Sequence, residues 1–270
     1  MIKSNFHTHT CFCDGKNTPR EMVLEAIERG FTVLGFSMHS FLQQDLHIVP
    51  SRDRETAYIR EILALKEEFK DEIEIFLGLE QDLYSDAPKS DFEYLIGSVH
   101  YIKRGDTYYP IDGGKEKLRL VVDKCFGGDF DAFAEEYFSL VCEVAEKIKP
   151  DIIGHFDLVM KYCEQIELPE SDRYLAAAKR AIKNLVPLGI PFEINTGAMS
   201  RGLRTTPYPS KTLLKFMFDS GAKIVFSSDC HDKDFLEYGF DLAEKMALES
   251  GFTEHGIITE NGIIYVPIEK

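Results

Sequence analysis

The sequence predicts an α/β protein of 270 residues, folded as a single-domain, distorted (β/α)7 barrel of the TIM type. Seven short apolar segments alternate with segments of helical periodicity, which is the pattern of parallel βαβ units. Nearly every apolar segment is followed at once by a His, Asp or Glu, and catalytic groups of such barrels cluster at the C-terminal ends of strands. An open doubly wound sheet is the alternative, but it would gather ligands only near its switch point.

The helices and strands are predicted from apolar runs and from the capping and turn residues at their ends. A capping box of Thr18 and Glu21 starts the first helix, and Gly30 ends it. Glu260, Asn261 and Gly262 predict the turn of a hairpin over 256–266. The predicted strands are 2–6, 31–36, 73–79, 94–99, 151–154, 190–194 and 222–227, and the later helices are 53–70, 130–148, 176–188, 210–219 and 234–250.

Residues 101–129 contain tyrosines and two pairs of adjacent glycines, and they predict irregular structure. Because this segment follows a strand that ends in His100, one interpretation is an insertion that acts as a lid over the active face. The other is an ordinary surface excursion. Within one domain spanning residues 1–270, both stay open.

Composition limits the function. The net charge of −15 argues against a nucleic-acid polymer as partner, because phosphate contacts need clustered Lys and Arg. A small anionic substrate in a local basic pocket is still compatible with it. No apolar run is long enough to cross a membrane, and the N-terminus lacks a signal peptide, so we expect a cytoplasmic location. The six scattered cysteines predict free thiols, and the oligomeric state is left open.

Nine strand-end side chains form the candidate site. His7 and His9 leave the first strand on one face, because side chains alternate with period two. Any one histidine is more often a hydrogen-bonded core residue than a ligand, but that explanation is hard to apply six times at equivalent strand ends. The remaining histidines, His47 and His255, are interpreted as surface or loop residues. The candidates are His7, His9, Asp14, His39, Glu80, His100, His155, Asp229 and His231.

This mixture of imidazole and carboxylate suits zinc, manganese or iron better than calcium or magnesium. Nine ligands are too many for one ion, and with a bridging carboxylate they suit two or three divalent ions. Cys11 and Cys13 leave two alternatives. They could complete a zinc chelate with His7 and His9, or fill space while Asp14 turns inward. Cys230 is expected to point away from the neighbouring candidates.

These motifs resemble those of the polymerase and histidinol phosphatase (PHP) superfamily, from residue 5 to about 245. The residues that carry the resemblance are His7-Thr8-His9, Asp14-Gly15, His39-Ser40, Gly78-Leu79-Glu80, Gly97-Ser98-Val99-His100, Gly154-His155-Phe156-Asp157 and Ser228-Asp229-Cys230-His231. Two further segments, Glu193-Ile194-Asn195-Thr196-Gly197 and Pro207-Tyr208-Pro209, resemble its monofunctional histidinol-phosphatase branch.

The resemblance implies a distorted (β/α)7 barrel with a trinuclear metal centre, and hydrolysis of L-histidinol phosphate in histidine biosynthesis. It implies three sets of metal ligands. The third set varies most within the family, since some members have His at the position of Asp14. The sets are His7, His9, Glu80 and Asp229 for the first metal, Glu80, His100 and His155 for the second, and Asp14, His39 and His231 for the third.

The expected reaction is attack on phosphorus by a hydroxide that bridges two metals, which lower the pKa of bound water. Arg201, Arg204 and Lys161 are the predicted cations for the phosphoryl oxygens, each with a solvated surface charge as its alternative. Asp229 is the predicted proton donor to the leaving oxygen. The expected partner is a small phosphorylated substrate, and one with an amine would suit an acidic pocket wall.

Two outer carboxylates, Asp157 and Glu193, are predicted to orient histidine ligands. Three other functions are alternatives to this one. They are a phosphoesterase of nucleotides or other small esters, a metal-dependent amidohydrolase, and a non-catalytic metal-binding domain. Amidohydrolases commonly bridge two metals with a modified Lys on the fourth strand, whereas here that strand ends in His100 and Glu80 comes one strand earlier.

Overall fold

Seven parallel strands form the centre of the computed structural model, which describes residues 2–49 and 51–268. Their order in the sheet is β1-β2-β3-β4-β7-β8-β9, so chain order is kept and all seven predicted strands are confirmed. The predicted domain span of 1–270 also includes four positions outside the described residues. The strands are β1 (Ser4–Asn5), β2 (Val33–His39), β3 (Glu74–Asp82), β4 (Tyr94–Ser98), β5 (Tyr101–Arg104), β6 (Thr107–Pro110), β7 (Ile152–Ile153), β8 (Phe192–Asn195), β9 (Ile224–Ser227), β10 (Glu254–Thr259) and β11 (Gly262–Pro267).

The sheet curls into a nearly closed barrel. Thr8, just beyond β1, forms a parallel bridge with Cys230, just beyond β9, and the His9 N–H donates to the Cys230 carbonyl at 2.9 Å. Between β2 and β3 the register places His39 opposite Glu80. The first and last strands therefore meet, and the strand ends form one rim.

The helices cover the outside of the barrel. The capping box of Thr18 and Glu21 and the end at Gly30 are confirmed. The helix predicted from 176 begins at Asp172, because Ser171 caps it, and the last helix begins at Phe240, after a short 3-10 turn. The α-helices are α1 (Pro19–Glu28), α2 (Arg52–Glu68), α3 (Lys115–Phe126), α4 (Phe130–Lys147), α5 (Cys163–Ile166), α6 (Asp172–Leu185), α7 (Gly197–Ser200), α8 (Lys211–Asp219) and α9 (Phe240–Ser250), with 3-10 turns at Lys89–Asp91, Leu158–Met160, Val186–Leu188 and Lys233–Phe235.

The prediction of irregular structure over 101–129 is wrong. The segment forms the antiparallel hairpin β5–β6, which turns at Gly105, and then α3. Gly114 and Gly127 lie at the two ends of α3 with φ of 124° and 61°. The glycines that suggested a loop are therefore helix boundaries, because each adopts a positive φ that favours glycine.

The barrel interior is packed around Tyr94. Its hydroxyl donates to the carbonyls of Phe6 at 2.6 Å and Phe36 at 3.0 Å, across the barrel. A Cβ atom at Gly35 would lie 2.4 Å from the Tyr94 hydroxyl oxygen, and one at Gly78 would lie 2.2 Å from the ring. Both glycines are therefore required for the ring to fit.

The hairpin β10–β11 packs against β9 and inserts Ile258 into the same interior cluster as Phe6 and Tyr94. The interpretation of His255 as a surface or loop residue is therefore wrong. His255 is buried in β10 with its ring 5.2 Å from that of Phe226. His47 is exposed in a turn, as predicted, and all six cysteines are free thiols. Within the described ranges, no helix is both long and apolar enough to cross a membrane.

Candidate metal centre

The rim of the barrel brings together all nine side chains that the sequence singled out. His39 and Glu80 belong to β2 and β3, and the other seven lie in the turns that follow strands. Most are buried, whereas His39, His231 and the more exposed Asp14 lie toward solvent. The order of the strands, more than their sequence spacing, determines which of these side chains meet.

Glu80 lies at the centre of the cluster. Its Oε2 atom is 2.8 Å from His39 Nδ1, and its Oε1 atom is 3.2 Å from His100 Nε2 and 2.9 Å from His155 Nε2. Burial would raise the pKa of Glu80, but the surrounding imidazoles outweigh it and hold the pKa well below its ordinary value. The carboxylate is therefore ionised, as a bridging ligand must be.

Asp229 joins the cluster from the opposite side of the barrel seam. Its Oδ1 atom is 3.2 Å from His9 Nε2, 3.8 Å from His7 Nε2 and 3.7 Å from His231 Nδ1. Burial would raise its pKa, but Arg201 and then His7 outweigh burial and hold the pKa of Asp229 well below its ordinary value. Asp229 therefore has the charge that an anionic ligand needs, and its predicted role as the acid stays a prediction.

Asp14 organises an outer group with three imidazoles. Its carboxylate oxygens lie 3.1 Å from His231 Nε2, 3.6 Å from His39 Nε2 and 4.0 Å from His9 Nδ1. The His9 ring stacks between those of His39 and His231, with centroids 4.3 and 4.1 Å away. Burial, with the neighbouring His231 and His39, lowers the pKa of His9 to about 3, which leaves a neutral imidazole of the kind that metals bind.

Buried nitrogens without partners test whether these residues fit a metal. His7 Nε2 and His9 Nε2 make no hydrogen bond although both are fully buried, and each faces carboxylate oxygens. Such atoms are rare in folded proteins and call for an explanation. A divalent cation supplies one. Four groups have ligand atoms within 4.8 Å of one another: His9, Asp14, His39 and His231; His7, His155 and Asp229; His7, His9 and Glu80; His39, Glu80 and His100.

These groups overlap with the three sets that the resemblance implies. His155 groups with His7 and Asp229 and also hydrogen-bonds Glu80, so it lies between two sets. Neither Cys11 nor Cys13 belongs to a group, and Cys13 Sγ lies 3.5 Å from His9 Nδ1. Burial raises the pKa of the Cys13 thiol to about 12. Cys13, which packs against the core, therefore matches the space-filling alternative, and the Asp14 carboxylate faces the histidines.

Glu193 contacts the ring of one histidine, His7, and the backbone of another, His155. Its Oε1 atom lies 2.6 Å from His7 Nδ1, and its Oε2 atom accepts the His155 N–H at 2.7 Å. Because Nδ1 of His7 is engaged in this way, Nε2 faces the cluster. Asn195 donates to Glu193 at 2.9 Å and to Asp229 at 3.4 Å, so its amide links the two carboxylates.

Asp157 does not orient a histidine in this way. Its carboxylate accepts the Ser210 N–H at 3.1 Å and lies 3.8 Å from Arg204. The carboxylate that serves His100 is Asp82, which accepts its N–H at 2.9 Å and lies 3.3 Å from its Nδ1. Sequence reasoning missed Asp82, although its place two residues beyond Glu80 puts both on one face of β3.

A cavity of about 610 Å³ opens above the cluster. Arg201 and Lys161 line it, and Arg201 donates to Asp229 at 2.9 Å while Lys161 donates to Asp112 at 3.1 Å. Arg204, the third predicted cation, is not among the lining residues. It is buried, with its guanidinium 4.5 Å from the centre of the Tyr208 ring.

Comparison with known proteins identifies the family. The model of the PHP domain matches residues 5–197. A probable histidinol-phosphatase of Schizosaccharomyces pombe is 27% identical, with 93% of this chain and 87% of that protein covered, and the histidinol-phosphatase of Bacillus subtilis is 25% identical, with 89% and 98% covered.

A solved structure of histidinol phosphate phosphatase from Lactococcus lactis, in complex with zinc, L-histidinol and phosphate, superposes with a TM-score of 0.73 at 23% identity, covering 97% of this chain and 98% of that one. A Listeria monocytogenes structure described as a histidinol phosphatase has a TM-score of 0.78 at 20% identity, covering 89% and 99%. These structures share the barrel fold, and the family model covers well over half of the sequence. The chain belongs to the PHP domain family.

Proposed function

We propose that this chain is a metal-dependent phosphomonoesterase that hydrolyses L-histidinol phosphate to L-histidinol and phosphate. The observation that carries the proposal is the convergence of imidazoles and carboxylates beneath a cavity that Arg201 and Lys161 also line. The relatives from Schizosaccharomyces pombe and Bacillus subtilis, which match along most of their length, bear the name of this activity, and this supports the choice of substrate.

Two or three divalent ions, zinc, manganese or iron, are proposed as the cofactors. Glu80 is the proposed bridging ligand, because its two oxygens face different histidines. When bound, such ions lower the pKa of a coordinated water to near neutrality and offset negative charge on the phosphoryl group. The proposed ligands are the nine side chains His7, His9, Asp14, His39, Glu80, His100, His155, Asp229 and His231.

The remaining roles belong to cations at the cavity wall. Arg201 is proposed to bind the phosphate in a bidentate manner, because its guanidinium contacts Asp229 and His231 and lines the cavity. Lys161 is proposed as a second phosphate contact, positioned by Asp112. For Asp229 we propose ligation in place of proton donation, since Arg201 keeps it anionic. A cytoplasmic location is also proposed, because all six cysteines are free thiols, as is usual in a reducing compartment.

The test is phosphate release from a panel of substrates after chelation and after reloading with zinc or manganese. We expect turnover of L-histidinol phosphate that disappears with the chelator and returns with metal. Nucleotides, sugar phosphates and an amide serve as comparison substrates. Release from nucleotides alone would reject the proposed substrate, and hydrolysis of the amide alone would reject the reaction class.

A further inference from the structure

The outer end of the cavity is built from two segments that lie far apart in the sequence. The loop after β2 contributes Asp45 and His47, and the hairpin β5–β6 contributes Tyr101 and Tyr108. We propose that Asp45, Tyr101 and Tyr108 form a subsite for a nitrogen heterocycle, the imidazole ring of the substrate. This inference rests on the proposed function and names the residues that would select its substrate.

Asp45 is the carboxylate of this wall that is free to bind a ligand. Asp82 accepts hydrogen bonds from the backbone N–H groups of Tyr84 and His100, and Asp112 is paired with Lys161. Asp45 accepts a hydrogen bond from the Tyr101 hydroxyl and has no cationic partner within residues 2–49 and 51–268. A carboxylate has lone pairs for several donors, so the Tyr101 bond leaves room for a ring N–H.

The loop holds Asp45 in place before any ligand binds. The backbone N–H of Asp45 donates to the Leu42 carbonyl at 3.0 Å, and its own carbonyl accepts from Ile48 at 3.3 Å. Leu42 and Val49 are buried and anchor the loop on the core. Preorganisation of this kind reduces the entropy lost on binding.

Two tyrosine rings line this part of the cavity beside Asp45. Tyr108 makes edge contacts with Tyr84 and Tyr101, with centroids 5.2 and 6.4 Å away, and the Lys103 ammonium lies 4.8 Å from its centre. These contacts fix the ring while leaving Tyr108 at the cavity surface. An aromatic wall beside an acceptor suits an imidazole, which stacks or packs edge-on and donates an N–H.

The experiment compares two substrates in Asp45→Asn. L-Histidinol phosphate carries the ring, and the phosphate ester of L-alaninol keeps the amine and the phosphate but lacks the ring. The asparagine retains an acceptor for the Tyr101 hydroxyl, so the contact between loop and hairpin survives while the charge is lost. Asp106→Asn is the matched control, because Asp106 is exposed at the turn of the hairpin and does not line the cavity.

In Asp45→Asn we expect kcat/KM for L-histidinol phosphate to fall about 10- to 100-fold, the range for losing a hydrogen bond to a charged group. The alaninol ester should change less than about threefold, within the uncertainty of such comparisons. Asp106→Asn should leave both substrates unchanged. Tyr108→Leu should likewise lower the ratio of kcat/KM for L-histidinol phosphate to kcat/KM for the alaninol ester.

The outcomes separate this inference from the proposed function. Equal losses on both esters in Asp45→Asn would overturn the subsite, since a structural link or an ammonium contact acts on both. An unchanged kcat/KM for both esters in Asp45→Asn would also overturn it while the proposed function stands. Failure of the wild-type, metal-loaded protein to hydrolyse L-histidinol phosphate would overturn both.

Discussion

At the scale of single residues, Glu80 shows how the candidate site depends on its neighbours. A buried carboxylate is costly unless opposite charge or hydrogen bonds compensate it. Glu80 faces His39, His100 and His155 within 3.2 Å and also accepts a hydrogen bond from Ser98 at 2.8 Å. Burial would lower the pKa of His39 and of His100, but Glu80 outweighs burial and raises both pKa values. Divalent ions would supply the positive charge beside Glu80 in place of these protons, and they bind the neutral form of imidazole.

Arg201 and Arg204 lie three positions apart, yet their surroundings predict different consequences of mutation. In Arg204→Met we expect the free energy of unfolding to fall by about 3 kcal/mol, because Asp157 then stays buried with an uncompensated charge. In Arg201→Met of the metal-loaded protein, we expect KM for the phosphate ester to rise about tenfold or more with a smaller loss of stability. Urea unfolding and steady-state kinetics measure the two effects.

The contrast between the two arginine variants is the informative readout. Arg204 is buried against Asp157 and Tyr208, whereas Arg201 faces the cavity. A rise in KM in Arg204→Met without loss of stability would contradict the assignment of Arg204 to the core. It would restore the phosphate-binding role that the sequence predicted for it.

At the scale of elements, the strands were predictable and the turns between them were not. Six of the seven barrel strands are apolar runs followed by a candidate ligand, so the alternation also located the nine candidate ligands. The direction of Arg204 depends on how the chain turns after α7, where Gly202 has a φ of 67°, and no local pattern encodes it. The helix α3 was missed for a related reason, since Gly114 and Gly127 mark loops and helix ends equally well.

A test of strand packing uses Gly78, in the middle of β3. In Gly78→Ala we expect the free energy of unfolding to fall by about 2 kcal/mol or more, since the new methyl group would overlap the Tyr94 ring. The double variant Gly78→Ala/Tyr94→Leu should lose less than the sum of the single variants, because the smaller side chain makes room. Chemical denaturation of the four proteins completes the cycle. Strict additivity would show that the ring does not exclude a side chain at Gly78.

At the scale of the whole molecule, one end of the barrel is covered and the other is open. The hairpin β10–β11 covers the N-terminal end and adds Ile258 to the interior cluster. The C-terminal end is left open over the ligands, beneath a cavity bordered by the loop after β2 and the hairpin β5–β6. In a chain of net charge −15, crowding further carboxylates at this end opposes folding unless cations bind there.

Metal binding should therefore stabilise the entire barrel, because the candidate ligands follow or belong to six of its seven strands. At free zinc or manganese 100-fold above the dissociation constant, each site adds about 2.7 kcal/mol. For a chain of this size that corresponds to a rise in Tm of about 5–10 °C per occupied site over the chelated protein. Glu80→Gln should lose most of this increment, because the bridging charge is gone. Glu74→Gln, at the exposed start of the same strand, should keep all of it. Thermal unfolding of the three proteins with and without metal measures these shifts, and equal Tm values for chelated and metal-loaded wild type would exclude a metal cluster that links the strands.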